Sequence, residues 1–141
     1  MTLALDSWIV LAWLKDQEPG AARMAELWRK AASGRVKLLM SVVNAGEVFY
    51  LVAKARGEEA AHAVLRNLQD RPLEIVSVPD ALVMEAAKLK ARYPISFADA
   101  FAAATAIGRG APLVTGDPDM RYMEREGLRL EWAGGKTPPA A

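Results

Sequence analysis

The chain has 141 residues, of which 52% are hydrophobic and 25% charged, and 18 basic against 17 acidic residues give a formal net charge of +1. This length fits one domain, and the composition is typical of a folded globular protein. The absence of cysteine excludes disulfides, thiolate metal sites and cysteine nucleophiles. The single histidine, His62, follows two acids in a helical pattern and is expected to be exposed. This disfavours histidine-based catalysis and metal sites rich in histidine.

No apolar run is long enough to span a bilayer, and the N-terminal segment lacks the basic and apolar regions of a signal peptide. We therefore expect a cytoplasmic protein that does not contact membranes. The near-neutral charge does not by itself indicate nucleic-acid binding, which usually requires a strongly basic face.

Short apolar segments alternate with amphipathic helical patterns along the chain. In chain order we predict strand Leu3–Leu5, helix Trp8–Leu14, helix Ala21–Ala32, strand Lys37–Met40, helix Val42–Ala55, helix Glu58–Gln69, strand Leu73–Val78, helix Asp80–Ala91, helix Ser96–Ile107, strand Pro112–Thr115, helix Tyr122–Glu126 and strand Leu128–Trp132. This alternation predicts a parallel sheet covered on both faces, that is, an α/β/α sandwich. We expect one domain over residues 1–133 and a disordered C-terminal tail over 134–141.

Four acidic side chains lie among apolar neighbours: Asp6, Glu47, Asp99 and Asp117. Because burying an isolated carboxylate is costly, such groups are normally paired, protonated or bound to metal. Asp6 ends the first predicted strand and Asp117 follows the fourth. Glu47 lies early in the helix after the second strand, and Asp99 lies in the first turn of the helix leading to the fourth.

Parallel α/β sheets bind ligands outside the carboxyl ends of their strands. Asp6, Glu47 and Asp117 can reach that edge directly, whereas Asp99 reaches it only if its helix begins on the same side. Carboxylates that meet there need a counter-charge, and Mg²⁺ or Mn²⁺ is the natural one for an all-oxygen ligand set. Such a site activates water for phosphoryl displacement and needs neither cysteine nor histidine.

Each acid also has a structural interpretation. Asp6 could cap the first helix, Asp99 could belong to a capping box, and Asp117 could serve only to form a Gly-Asp-Pro turn. Asp119 is best interpreted as solvated. Glu47 is the hardest to explain structurally, because its apolar neighbours indicate a helix with little polar face.

At this point four sequence blocks resemble the PIN-domain nucleases, and most closely the toxins of VapBC-type toxin–antitoxin pairs. The blocks are Leu5-Asp6-Ser7, Asn44-Ala-Gly-Glu47-Val48, Ser96-Phe-Ala-Asp99-Ala-Phe-Ala-Ala-Ala-Thr-Ala, and Leu113-Val-Thr-Gly-Asp117-Pro-Asp. The third and fourth blocks, at their short separation, are the most specific. The resemblance runs from Leu3 to about Trp132 and identifies residues 1–133 as a PIN domain.

The resemblance implies a three-layer α/β/α sandwich with a mainly parallel five-stranded sheet of order 3-2-1-4-5. It implies endonucleolytic cleavage of RNA at a pocket that binds Mg²⁺ or Mn²⁺, a VapB-type antitoxin that blocks the pocket, and a homodimer. The residues matching the family's catalytic and metal-binding acids are Asp6, Glu47, Asp99 and Asp117. Ser7, Thr115 and Asp119 are supporting candidates.

Three other functions stay open at this stage. A PIN nuclease can act in RNA processing outside a toxin pair, and a PIN domain can survive as a catalytically silent binding scaffold. A signalling module of flavodoxin-like topology would require paired acids after the first strand and a lysine after the fifth. Here a single acid follows the first strand and Trp132 ends the last, so the match is poor.

Overall fold

Five strands, six α-helices and one 3₁₀ helix make up the fold in a computed structural model that describes residues 1–141. In chain order they are β1 (Thr2–Leu5), α1 (Ser7–Leu14), α2 (Gly20–Ala32), β2 (Lys37–Ser41), α3 (Val42–Arg56), α4 (Glu58–Gln69), β3 (Leu73–Val76), α5 (Asp80–Arg92), α6 (Phe97–Gly108), β4 (Leu113–Thr115), the 3₁₀ helix (Pro118–Glu126) and β5 (Leu130–Trp132).

The five strands form one sheet in the order β3-β2-β1-β4-β5, and every pairing is parallel. The predicted strand order is therefore confirmed. The central strand β1 pairs Leu5 with Met40 of β2 on one side and with Val114 of β4 on the other. Its apolar residues are buried on both faces, as expected for the middle strand of a covered parallel sheet.

Helices cover both faces of the sheet, which confirms the three-layer sandwich. Successive side chains of a strand point to opposite faces, and β1 accordingly contributes to two separate cores. Leu3 and Leu5 pack with residues of α1, α2, α3 and α4, whereas Ala4 packs with residues of α5, α6 and the 3₁₀ helix. Each helix lacks either the length or the apolar character needed to span a bilayer.

The largest departure from prediction lies after β4. The sequence predicts a short helix from Tyr122, but the chain already turns helical at Pro118. The Asp117 side chain accepts a hydrogen bond from the Asp119 amide at 2.9 Å, and proline is preorganised for the first helical position. Gly127, at φ +82°, ends the helix in the left-handed region that glycine adopts readily.

Smaller differences occur elsewhere. β3 ends at Val76 rather than Val78, and β5 begins at Leu130 rather than Leu128. His62 is exposed as predicted, and its ring packs edge-on against Phe49. The boundary at residue 133 and the disorder of the tail stay predictions.

Candidate metal centre

The centre begins with two adjacent strand ends. Because β1 and β4 are paired, Asp6 just after β1 lies beside Thr115 at the end of β4. The Thr115 hydroxyl donates a hydrogen bond to Asp6 Oδ2, and Thr115 Oγ1 accepts one from the Asp117 amide at 3.0 Å. Both Asp6 and Thr115 are buried. One hydroxyl therefore connects the first and fourth predicted acids.

Asp6 is also the N-cap of α1. Its Oδ1 accepts a hydrogen bond from the Ile9 amide at 3.2 Å, so its structural interpretation as a cap is correct. A cap does not require burial, and caps are ordinarily solvated, yet this side chain is only 1% exposed. Capping explains the orientation of Asp6 and leaves the burial of its charge unexplained.

Asp99 reaches the same edge through the beginning of α6. Ser96 caps this helix by accepting a hydrogen bond from the Asp99 amide at 3.1 Å, which is one of the two hydrogen bonds of the predicted capping box. The side chain of Asn44 in α3 donates to the Ala98 carbonyl at 3.0 Å and so holds the beginning of α6 against α3. The long connection before α6 therefore does bring Asp99 to the side of the sheet where the other acids lie.

The proton affinities of these carboxyl groups show that they influence one another. Burial raises the pKa of Asp6 to about 7, against the lowering effect of its hydrogen bonds, and the charges of Asp99 and Asp117 raise it further. Burial also raises the pKa of Asp99 to about 7, with additional contributions from the charges of Asp117 and Glu47. All four predicted acids are thus electrostatic neighbours.

No basic side chain of the protein neutralises this group. The seven ion pairs of the chain involve none of Asp6, Glu47, Asp99 or Asp117. The structure also contains no group of three or more His, Cys, Asp or Glu side chains already arranged to hold a metal ion. The acids are near one another, but they do not form a closed set of ligands.

The remaining candidates take different places. Glu47 is half-buried in the second turn of α3. The Ser7 hydroxyl is buried and donates to the Asn44 carbonyl at 3.2 Å. Asp119 is exposed and contacts Asp117 through its backbone amide alone, which agrees with its interpretation as a solvated side chain.

The residues fit a hard divalent cation. The group offers carboxylate oxygens, which Mg²⁺ and Mn²⁺ prefer, and it lacks the sulfur and imidazole ligands of softer metals. Asp6 is a buried acid whose ionised form has no counter-charge. Asn44 Oδ1 is a buried oxygen with no hydrogen-bond partner. A cation would supply the charge that the chain itself does not.

Sequence reasoning overlooked the role of two residues at this edge. The sequence distinguishes Asn44 only as part of a motif, although an amide among apolar helix residues is a signal of a specific contact. For Trp8, the sequence predicts only that a helix begins there. Its indole covers Gly116, where an added Cβ would lie 2.2 Å from the ring. Residue 116 must therefore be glycine, and the ring holds the backbone between Thr115 and Asp117 in place.

Comparison with known proteins bears on the fold. The family model of the PIN domain matches residues 3–126. Among solved structures, the chain is similar to one of VapBC2 from Rickettsia felis bound to a DNA fragment from its promoter, with a TM-score of 0.71 and 22% identity over 94% of this chain and 99% of that one. It is similar to DNA-bound VapBC from Salmonella typhimurium, with a TM-score of 0.70 and 21% identity over 93% and 97% of the two chains.

A third similar structure is VapC20 from Mycobacterium tuberculosis, described as a toxin that cleaves the sarcin–ricin loop. Its TM-score is 0.65, with 22% identity over 89% of this chain and 95% of that one. No curated protein sequence matched. At 21% to 22% identity, the solved structures show only that the fold is shared. The PIN family model, by contrast, matches most of the sequence. The chain belongs to the PIN domain family.

Proposed function

We propose that the chain is a metal-dependent endoribonuclease that hydrolyses RNA phosphodiester bonds, and that it is the toxin of a VapBC-type pair. The observation that carries this proposal is the meeting of four acids at one sheet edge with no basic side chain to neutralise them. Membership of the PIN family and the likeness to VapC20, which is described as a sarcin–ricin loop cleaving toxin, support it.

In this proposal Asp6, Glu47, Asp99 and Asp117 hold Mg²⁺ or Mn²⁺. The bound ion would activate a water molecule and stabilise the charge of an in-line phosphoryl displacement. The charge of the bound ion would offset the mutual repulsion of the four carboxylates.

The residues around the acids have supporting tasks. Thr115 holds Asp6 by a hydrogen bond that favours the ionised carboxylate, because the hydroxyl donates to it. The same hydroxyl fixes the Asp117 amide. Ser7 orients the beginning of α1 through its contact with α3. Asp119, which is exposed, has at most an indirect task.

An antitoxin partner is supported by an apolar groove between α1, α3 and α4. It has a volume of about 280 Å³, with Lys15 and Arg56 among its lining residues. The apolar lining residues are Leu11, Leu14, Leu51, Val52, Ala55 and Val64. A VapB-type segment with apolar anchors and nearby acids would fit these surfaces. The similar VapBC structures are the reason to expect such a partner.

A homodimer is supported by large apolar side chains exposed on helices. Met84 of α5 is 60% exposed, and Val42 and Tyr50 of α3 are 47% and 49% exposed. Exposed apolar side chains on helix faces are available for contact with a second copy of the chain. We also propose a cytoplasmic location, where RNA and a co-expressed antitoxin are both available.

The test is cleavage of a structured RNA by the purified chain in Mg²⁺ or Mn²⁺, compared among wild type, Asp6→Asn, Asp99→Asn and the control Asp70→Asn. Asp70 is an exposed acid at the end of α4, so its variant keeps the chemical change but lies outside the site. We expect each site variant to lose at least about 100-fold in rate, since removing one major electrostatic contribution costs on that order. Cleavage that persists in the site variants and in EDTA would refute the mechanism.

Two alternatives are separated by the same preparation. Metal binding without hydrolysis across several RNA classes would favour a silent scaffold. A chain that cleaves RNA, and with which no small inhibitory protein encoded next to it co-purifies, would favour an RNA-processing nuclease outside a toxin pair.

A further inference from the structure

Asn44 is a fully buried amide in the first turn of α3, among apolar neighbours. It lies in α3, has 0% exposure, and its side chain contacts two other segments of the chain. Asparagine is a poor helix former, and a buried amide costs free energy unless it is hydrogen-bonded. Its presence here therefore calls for an explanation beyond packing.

The contacts of Asn44 join three segments. Its Nδ2 donates to the Ala98 carbonyl at 3.0 Å and makes a longer contact of 3.4 Å with Ser7 Oγ. The Ser7 hydroxyl donates in return to the Asn44 backbone carbonyl at 3.2 Å. The Ala98 carbonyl can only accept, so the NH₂ end of the amide must face it. The orientation of the side chain is thereby determined.

Each joined segment carries one of the acids. Ser7 follows Asp6 directly, Ala98 precedes Asp99 directly, and Glu47 lies three residues after Asn44, one turn along α3. The contacts of Asn44 therefore hold together the three segments that carry Asp6, Glu47 and Asp99. Thr115 joins only Asp6 and Asp117.

We propose that Asn44 is a positioning residue that holds the segments bearing Asp6, Glu47 and Asp99 at the spacing needed to bind a divalent cation. This inference rests on the proposed function. The acids repel one another in the absence of a cation. Two contacts from the Asn44 side chain, and one that its backbone carbonyl accepts from Ser7, oppose their separation. Asn44 Oδ1 is buried and has no hydrogen-bond partner, so the Nδ2 end of the amide alone makes the contacts that join the segments.

The experiment measures Mn²⁺ affinity by isothermal titration calorimetry for the full chain and for Asn44→Ala, alongside thermal unfolding in EDTA. Two variants in α4 serve as controls. Asn67→Ala makes the same chemical change at an exposed position, and Leu68→Ala lowers stability from a buried position. Mn²⁺ affinity is the deciding measurement, because a residue with a merely structural role would lower the melting temperature without lowering affinity in the folded protein.

We expect Asn44→Ala to bind Mn²⁺ roughly 10- to 100-fold more weakly, as happens when residues that orient metal ligands are removed. Both controls should keep wild-type affinity, including Leu68→Ala with its lower melting temperature. Raising the Mn²⁺ concentration should restore much of the RNA cleavage of Asn44→Ala, because the residue touches no substrate.

Wild-type affinity in a folded Asn44→Ala chain would overturn the inference and leave the proposed function standing. Absence of Mn²⁺ and Mg²⁺ binding by the wild-type chain would refute the proposed function and this inference together. If Asn44→Ala does not fold, Ser7→Ala decides, since it removes the contact to α1 and keeps the contact to Ala98. Its affinity should then fall by a smaller factor, and an unchanged affinity would overturn the inference.

Discussion

Replacing Asp6 by Asn should stabilise the metal-free protein at high pH while it removes cation binding. Burial raises the pKa of Asp6 to about 7, compared with 3.8 for a solvated aspartate. At about 1.4 kcal/mol per pH unit, this difference corresponds to about 4 kcal/mol by which ionised Asp6 destabilises the folded chain. Asn is an equally good helix cap and carries no charge, so the variant avoids this penalty.

The sign of the effect depends on pH. Below about pH 4 Asp6 is protonated in both folded and unfolded chains, so ionisation costs nothing there. Between about 4 and 7 the unfolded chain releases the proton that the folded chain retains, and the stability of the wild type therefore falls as pH rises. Above 7 the full penalty applies. At pH 4 the variant and the wild type should have nearly the same free energy of unfolding. At pH 8 the free energy of unfolding of the variant should be about 2–4 kcal/mol larger, where about 4 kcal/mol is the upper limit that follows from the pKa of Asp6.

Urea unfolding in EDTA at pH 4 and pH 8 measures the difference, with Asp70→Asn as the matched control at an exposed acid. A gain of 4 kcal/mol would raise the melting temperature by roughly 13 °C for a chain of this size. Adding Mn²⁺ at pH 8 should raise the melting temperature of the wild type and leave that of the variant unchanged. Equal stability of the two chains at pH 8 in EDTA would refute the view that Asp6 is an uncompensated buried charge.

Three further predictions concern the same edge of the sheet. Thr115→Val removes the hydroxyl that lowers the pKa of Asp6, so the variant should need more Mn²⁺ than the wild type for half-maximal cleavage at pH 7. If this difference in Mn²⁺ requirement is as large at pH 8.5 as at pH 7, the explanation is wrong. Because the pKa values of Asp6 and Asp99 are about 7, Mn²⁺ binding at pH 6 should release up to two protons and become tighter toward pH 8; calorimetry in buffers of different ionisation enthalpy measures the release, and its absence would count against the two groups as ligands. Gly116→Ala places a Cβ 2.2 Å from the Trp8 ring and should cost about 1–3 kcal/mol or more in the free energy of unfolding. Gly116→Ala should cost less in a Trp8→Ala background. If denaturant unfolding shows that the costs of the two substitutions simply add, contact with the Trp8 ring is not the cause.

Local sequence patterns predicted the elements that fill the two cores. The apolar runs at Leu3–Leu5 and Leu38–Met40 are buried on both faces, and their alternation with amphipathic helices indicated a parallel sheet before any contact was known. The strand order came from the resemblance rather than from the patterns. Residue chemistry predicted the 3₁₀ helix least well, because its start depends on the cap that Asp117 and Pro118 form together.

For the site, the sequence by itself determined which acids were out of place among their neighbours. Asp6 and Asp117 at strand ends needed only the rule that parallel strands share a carboxyl edge. Asp99 needed more, because its position depends on a contact between Asn44 and Ala98, 54 residues apart. Hydrophobic periodicity contains no information about such a contact.

Only the tertiary structure decided how the acids are held and what their environment does to their charge. The hydrogen bond from Thr115 to Asp6 joins residues 109 positions apart, and the burial that raises the pKa of Asp6 exists only when both helical layers cover the sheet. The same closure seats the Trp8 ring on Gly116 and places Asn44 between α1 and α6. Residue identity supplied the chemistry of the site, while the spacing of the acids and their removal from water arise from long-range packing.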